Sequence, residues 1–173
     1  MKLLIFIFLI SSFIAQAQSE QYEEIVVSFS GDIEASNSIL TPSMKSKVLK
    51  HLKIIKPADY TVLATATSAP DKNMAVIRSA KTKVDMAWVL YDGAENILQT
   101  TWYEPMINAA AIAKVKTTAY KNGLSKTDKS ATFLKISNTT GTWYQVVGTV
   151  DDAFGFIFIS EAFSFLSKHG EEH

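Results

Sequence analysis

Apolar and polar residues alternate along two stretches near the middle of the chain, residues 84–91 and 96–103. A period of two places successive side chains on opposite faces of an extended backbone, which is typical of a β-strand. Between the two stretches, Asp92 and Gly93 tolerate the positive φ angles of a tight turn. The pattern therefore predicts an antiparallel hairpin.

Apolar residues recur at helical spacing in two other stretches, and each stretch has a proline at its start. The first follows Thr41 and Pro42 and ends before Pro57, and the second begins at Pro105 and ends before Gly123. Proline suits the first helical turn, where its missing N–H costs no hydrogen bond, and glycine often ends a helix. These stretches predict two amphipathic helices.

Further strands are predicted where β-branched and aromatic residues cluster between turn residues. The predicted strands cover residues 25–29, 60–67, 132–137, 143–150 and 154–160, whereas residues 74–77 fit either a short strand or a helical turn. An amphipathic segment, residues 161–168, follows the last strand. The order helix, strand, hairpin therefore occurs twice along the chain.

This order predicts an α+β fold of two tandem repeats, each a helix lying on one face of a small antiparallel meander. Residues 41–103 form the first predicted repeat and residues 104–168 the second, after an N-terminal strand and loop at residues 18–40. Residues 169–173 are expected to fray as a tail. Few side chains match between the halves, so a chance succession of two α+β units is the alternative.

The N-terminus has the parts of a secretory signal peptide. Lys2 precedes an apolar run over residues 3–10, and residues 15–17 have the small-x-small pattern that signal peptidase cleaves. The alternative is a membrane anchor, which requires about 20 apolar residues, and this stretch is shorter. We therefore expect residues 1–17 to be removed, leaving a periplasmic or secreted protein that begins at Gln18.

Charge and cysteine content narrow the classes of partner. The chain has 17 basic and 17 acidic residues and no cysteine. A neutral chain without basic runs is a poor match for nucleic acid or an anionic membrane surface. Without cysteine, the sequence predicts no lipid-carrying anchor, no disulfide and no thiolate metal site, so the exported domain holds together by packing alone. This favours the periplasm or outer surface of a bacterium, with no stable membrane anchor after signal removal.

Residues with catalytic or metal-binding chemistry do not form a recognisable constellation. His51 lies among lysines on the polar face of the first predicted helix, with no acid or nucleophile near it in sequence. The tail, residues 169–173, fits H-x-x-E-H, but Gly170 interrupts the helix that would align its histidines. Asp151 and Asp152 lack the further oxygen ligands that a calcium site needs. We therefore expect no enzyme activity, no catalytic residue, no metal ion and no cofactor.

The central hairpin carries a resemblance to a known family. Residues 84–93 read Val-Asp-Met-Ala-Trp-Val-Leu-Tyr-Asp-Gly, and residues 97–102 read Ile-Leu-Gln-Thr-Thr-Trp. With a preceding helix and strand, repeated once behind a signal peptide, this order resembles the PepSY-like proteins, which are also similar to the β-lactamase-inhibitor protein fold. The resemblance covers residues 41–160, and the second half departs from it with Asp152 where the first half has Gly93.

The resemblance implies a secreted or periplasmic, non-enzymatic module that binds or inhibits a protein partner through a sheet face, and it transfers no residue role. Because one sheet face must lie under a helix, we assign Trp88 to a buried position beneath the helix of Ile107 and Val115. The opposite face would expose three tyrosines to a protein partner in the cell envelope: Tyr91, Tyr103 and Tyr144. An exposed aromatic patch with a polar rim is typical of such an interface.

A small-ligand or lipid carrier is the alternative function. Three phenylalanines alternate along the predicted strand at residues 154–160, namely Phe154, Phe156 and Phe158. A carrier would use such side chains to line a cavity, because ligand sites are concave and mostly apolar. The two functions therefore differ in whether the aromatic residues cover a sheet face or enclose a cavity.

Overall fold

The computed structural model describes residues 24–25 and 40–170. In chain order its elements are α1 Pro42–His51, β1 Tyr60–Ala66, β2 Lys72–Ser79, β3 Asp85–Asp92, β4 Ile97–Tyr103, α2 Ala109–Lys121, β5 Thr132–Asn138, β6 Gly141–Val150, β7 Ala153–Ser160 and β8 Phe165–Gly170. The expected signal peptide lies outside the described residues, as does the predicted strand at residues 25–29 apart from Ile25.

The eight strands belong to one antiparallel sheet, in which each strand pairs with the next strand along the chain. Strand β4 pairs with β5 from Gln99 opposite Asn138 to Tyr103 opposite Leu134. The sheet is therefore continuous across the long connection that contains α2. The predicted central hairpin is confirmed as β3 and β4, with Tyr91 opposite Ile97 next to the turn.

The predicted fold class, α+β with two tandem helix-plus-meander repeats and the helices on one face of the sheet, is wrong. The structure is 47% strand and 22% helix, and its described strands form a single eight-stranded sheet. Residues 74–77, which fitted a strand or a helical turn, belong to β2 and are buried between β1 and β3. Part of the predicted amphipathic segment after residue 160 instead pairs with β7 as the edge strand β8. Pairing with neighbouring strands made both segments β-strands, and the local sequence pattern of a segment does not reveal such pairing.

The two helices begin with capping residues. Thr41 caps α1 as predicted, since its Oγ1 accepts a hydrogen bond from the backbone N–H of Met44 at 3.0 Å. The start predicted for the second helix is too early, because Pro105 lies in a separate 3-10 turn, Glu104–Met106. Helix α2 begins after Asn108, whose Oδ1 accepts from the N–H of Ala110 at 2.9 Å.

Each helix packs with sheet residues in a separate core cluster. Met44 and Val48 of α1 are fully buried in the first cluster, and Val115 and Ala119 of α2 are fully buried in the second. The strand register places the sheet residues of both clusters on the same side, which we call the inner face: Val62, Ala64, Ala75, Ile77, Ala87, Val89, Tyr91, Phe133, Tyr144, Val146, Ile157 and Ile159. Alanine side chains on β1 to β3 leave room for α1 to approach the sheet closely.

Candidate functional site

The opposite side of the sheet, which we call the outer face, is also apolar. It consists of Leu63, Met74, Val76, Trp88, Leu90, Leu98, Tyr103, Leu134, Ile136, Trp143, Val147, Phe156 and Phe158, and its two clusters contain no described helix residue. The register aligns Trp88, Thr101, Ile136 and Trp143 across strands β3 to β6. The outer face is therefore one continuous apolar layer. Four of its aromatic rings are half-buried: Trp88, Tyr103, Phe156 and Phe158. Seven of its other residues are buried: Met74, Val76, Leu90, Leu134, Ile136, Trp143 and Val147.

Trp88 and Tyr103 form an aromatic pair at the polar rim of the outer face. Their ring centroids are 5.5 Å apart in an edge-to-face arrangement. The indole Nε1 of Trp88 donates to Asp85 Oδ2 at 3.2 Å, and Asp85 Oδ1 accepts from Arg78 Nε at 2.6 Å. Burial, with a smaller effect from the charge of Asp85, raises the pKa of the Tyr103 phenol. Tyr103 therefore stays neutral and can donate a hydrogen bond.

The structure separates the three tyrosines that the sequence grouped as a binding surface. Tyr103 lies on the outer face, but the predicted placement of Tyr91 and Tyr144 on a helix-free face is wrong. Tyr91 is 2% exposed and Tyr144 is 4% exposed, and both belong to inner-face clusters that contain helix residues. Burial raises the pKa of Tyr91 to about 12. These two rings are core residues.

The predicted burial of Trp88 beneath the helix of Ile107 and Val115 is also wrong, because Trp88 belongs to an outer-face cluster. Both parities of β3 are apolar, so alternation separates the two sets of side chains without saying which set faces a helix. The inner face took the parity of Ala87 and Val89, whose small side chains leave space for α1. Trp102 lies opposite Ala87 across the strand pair, so an indole from β4 already occupies this part of the inner face.

Gln99 is a site residue that the sequence reading missed. Its side chain lies on the outer face and is 7% exposed. Its Oε1 accepts from the backbone N–H of Ile25 at 2.9 Å, and its Nε2 donates to the backbone carbonyl of Ile25 at 3.1 Å. The side chain of Ile25 packs against the cluster of Met74, Val76 and Leu90. The available signal was a glutamine directly after two apolar residues, Ile97 and Leu98, in a predicted strand.

Asn138 holds the amide of Gln99 in one orientation. Asn138 Oδ1 accepts from the backbone N–H of Thr140 at 2.9 Å and from its hydroxyl at 2.7 Å. The amide nitrogen of Asn138 must therefore point the other way, where Nδ2 donates to Gln99 Oε1 at 3.1 Å. Because this bond fixes the position of Oε1, Nε2 of Gln99 points towards the carbonyl of Ile25 and donates a hydrogen bond to it. Beside this pair, burial raises the pKa of the Glu24 carboxyl to about 7.

His51 has no acidic partner among the residues that the structure describes. Its Nε2 lies 3.0 Å from Thr100 Oγ1, and its ring stacks on Trp102 with centroids 6.3 Å apart. Partial burial lowers the pKa of His51, which favours the neutral imidazole. The Nζ of Lys135 lies 5.6 Å from the Trp102 ring centroid on the same face. This arrangement offers a base without the carboxylate that would orient it for general base catalysis.

Other candidate ligands and cavities lie apart from the outer face. No group of three metal-ligating side chains occurs within residues 24–25 and 40–170, and Asp151 pairs with Lys168. The ring centroids of His169 and Phe158 are 5.8 Å apart. The last three residues of the H-x-x-E-H tail lie outside the described residues. An open groove of about 440 Å³ lies between α2 and the turn after β7, beside Lys114 and Phe163.

The three phenylalanines proposed for a carrier cavity share one parity of β7, so they project from a single side of one strand. Phe154 is 45% exposed and meets Phe156 edge-on, with centroids 5.4 Å apart. Phe156 and Phe158 contribute to the outer face with Leu134 and Trp143. These phenylalanine side chains therefore extend the outer face along β7.

No helix in the described part of the chain is both long enough and apolar enough to cross a membrane. No protein-family model, curated protein or solved structure matches this chain.

Proposed function

We propose that the chain is an exported, non-enzymatic module that binds a protein partner in the cell envelope through the outer face. The observation that supports this proposal is the set of four half-buried aromatic rings, which form the accessible aromatic part of an otherwise largely buried apolar sheet face. Sheet faces that meet only water carry mostly polar side chains. An apolar surface with a polar rim is typical of a protein interface.

The four rings have the chemistry of interface anchors. Tryptophan and tyrosine combine a large apolar area with a polar atom, and they dominate the binding energy of many protein interfaces. Asp85 already holds the indole N–H of Trp88 and the guanidinium of Arg78, so Trp88 needs little reordering when a partner arrives. Phe158 is held edge-on by His169 in a similar way. Preorganised side chains lose less conformational entropy on binding.

The test is site-specific photo-crosslinking in the cell that exports the chain. A photoreactive phenylalanine analogue replaces Phe158 on the outer face in one variant and Ile55, which is 92% exposed after α1, in the control. We expect a discrete crosslinked partner from position 158 only, and we expect Trp88→Ser introduced into that variant to reduce this product at least tenfold. Circular dichroism checks that both chains fold.

Equal crosslinking from the two positions would contradict the proposal, because it would mean that the partner does not select the outer face. No crosslinked protein from position 158 in a folded chain would contradict it as well. Ile55→Ser is the matched control for Trp88→Ser, since it removes an exposed apolar side chain away from the outer face. It should leave the product unchanged.

A further inference from the structure

Gln99 is a buried polar side chain on the largely apolar outer face. Leu90 of β3 lies opposite it on one side and Asn138 of β5 on the other. A buried amide costs free energy unless its donors and acceptor are bonded. Gln99 meets this requirement by bonding both the N–H and the carbonyl of a single residue, Ile25. This is the pair of groups that any residue of an extended chain presents, except proline.

The contact also selects an apolar side chain. The main chain of Ile25 lies at Gln99, while its side chain packs with Met74, Val76 and Leu90. Main-chain bonds recognise an extended peptide of nearly any sequence, and adjacent apolar contacts then choose among side chains. We expect the same here: the hydrogen bonds from Gln99 provide affinity for the main chain, and the apolar contacts select the side chain. The bonds come from a side chain and not from a strand edge.

We propose that Gln99, oriented by Asn138, clamps the main chain of an extended peptide bearing an apolar residue, and that Glu24–Ile25 of the chain itself fills this clamp in the free protein. The inference rests on the proposed function and specifies its ligand: the partner presents an extended segment that takes the place of Ile25. Binding of the partner then requires release of the chain's own segment.

The test uses a fluorescein-labelled peptide with the sequence of residues 20–29, titrated into the mature chain that begins at Gln18. In the parent protein the peptide competes with the resident segment, whose local concentration is high. Ile25→Asp removes the apolar anchor and opens the clamp, so this variant should bind the peptide at least tenfold more tightly than the parent. Equal affinity for the two proteins would overturn the proposal.

A second probe changes the peptide and leaves the protein intact. N-methylation of the amide at the position of Ile25 removes the N–H that donates a hydrogen bond to Gln99 Oε1. We expect the methylated peptide to bind the Ile25→Asp protein at least tenfold more weakly than the unmethylated peptide. Unchanged binding would show that Gln99 does not recognise the main chain, whatever the stability of any protein variant.

Asn138→Asp tests the orienting residue. The new carboxylate still accepts from Thr140, but it replaces the Nδ2 donor with an acceptor facing Gln99 Oε1, so peptide binding should fall at least tenfold. Asn122→Asp is the matched control, since Asn122 Nδ2 bonds Thr118 at the end of α2. Loss of peptide binding together with intact crosslinking from the outer face would contradict the clamp proposal alone. Retained peptide binding without any crosslinked partner would contradict the proposed function.

Discussion

At the scale of single residues, the position of an aromatic ring in the sheet decides its part in the protein. Tyr144 stacks on Phe163 at 5.5 Å within the inner-face core, so its removal leaves a cavity. Trp88 is half-buried on the outer face, where solvent can fill part of the space that its ring leaves. The two rings lie on opposite sides of one sheet and should differ in their contribution to stability.

We expect Tyr144→Ala to lower the free energy of unfolding by about 3–5 kcal/mol, the usual loss for a large buried aromatic side chain. Trp88→Ala should cost less, about 1–2 kcal/mol, because its transfer from water is incomplete. Urea unfolding of the two variants and the parent measures both losses. A larger loss for Trp88 than for Tyr144 would show that the two faces are assigned the wrong way round.

At the scale of elements, a two-residue turn connects β6 and β7. Val150 pairs with Ala153, and the two residues between them, Asp151 and Asp152, have φ angles of 48° and 69°. Positive φ at both positions is the geometry of a type I′ turn, which favours asparagine or aspartate followed by glycine. Asp152 therefore occupies a position where an L side chain is strained.

Asp152→Gly should relieve this strain and stabilise the protein by about 0.5–1 kcal/mol, while Asp151 keeps its ion pair with Lys168. Ala153→Gly, one residue later in extended backbone, is the matched control and should destabilise β7 instead. Thermal and urea unfolding measure both changes. If Asp152→Gly does not stabilise the protein, the turn carries no strain at this position.

At the scale of the whole molecule, the contact between Glu24–Ile25 and the sheet should depend on pH. Burial raises the pKa of Glu24 from 4.5 to about 7, so the docked segment favours the protonated carboxyl. Docking is then fully favoured below pH 4.5, and this contribution is lost as the pH rises through about 7. The protein should therefore release the segment more readily in neutral medium than in acid.

The side-chain amide resonances of Gln99 report this docking directly in a titration followed by nuclear magnetic resonance. We expect them to shift from their docked towards their free positions as the pH rises between 4.5 and about 7. Glu24→Gln keeps the size of the side chain but cannot ionise, so its Gln99 resonances should stay at the docked position throughout. Parallel titration curves for the two proteins would exclude Glu24 as the titrating group.

Much of the local structure could be predicted from the sequence, but little of the candidate site could. The turn after Asp92 and the Thr41 cap depend on neighbours a few residues away, and both occur where the sequence placed them. The positive φ of that turn is at Glu95, however, and not at Asp92 or Gly93 as predicted. Of the three tyrosines predicted to bind, only Tyr103 lies on the outer face. The proposed export, partner and absence of enzyme activity stay predictions.

The sequence by itself determined the strand parities, the turns and the cap of α1, because short-range sterics and hydrogen bonds act within one or two turns of chain. The tertiary structure alone decided which parity faces the helices, since both parities of β3 are apolar and small inner-face residues admitted α1. It also decided the clamp, because Gln99 and Ile25 are 74 residues apart and meet only when the sheet forms. A contact of that range leaves no periodic pattern in the sequence.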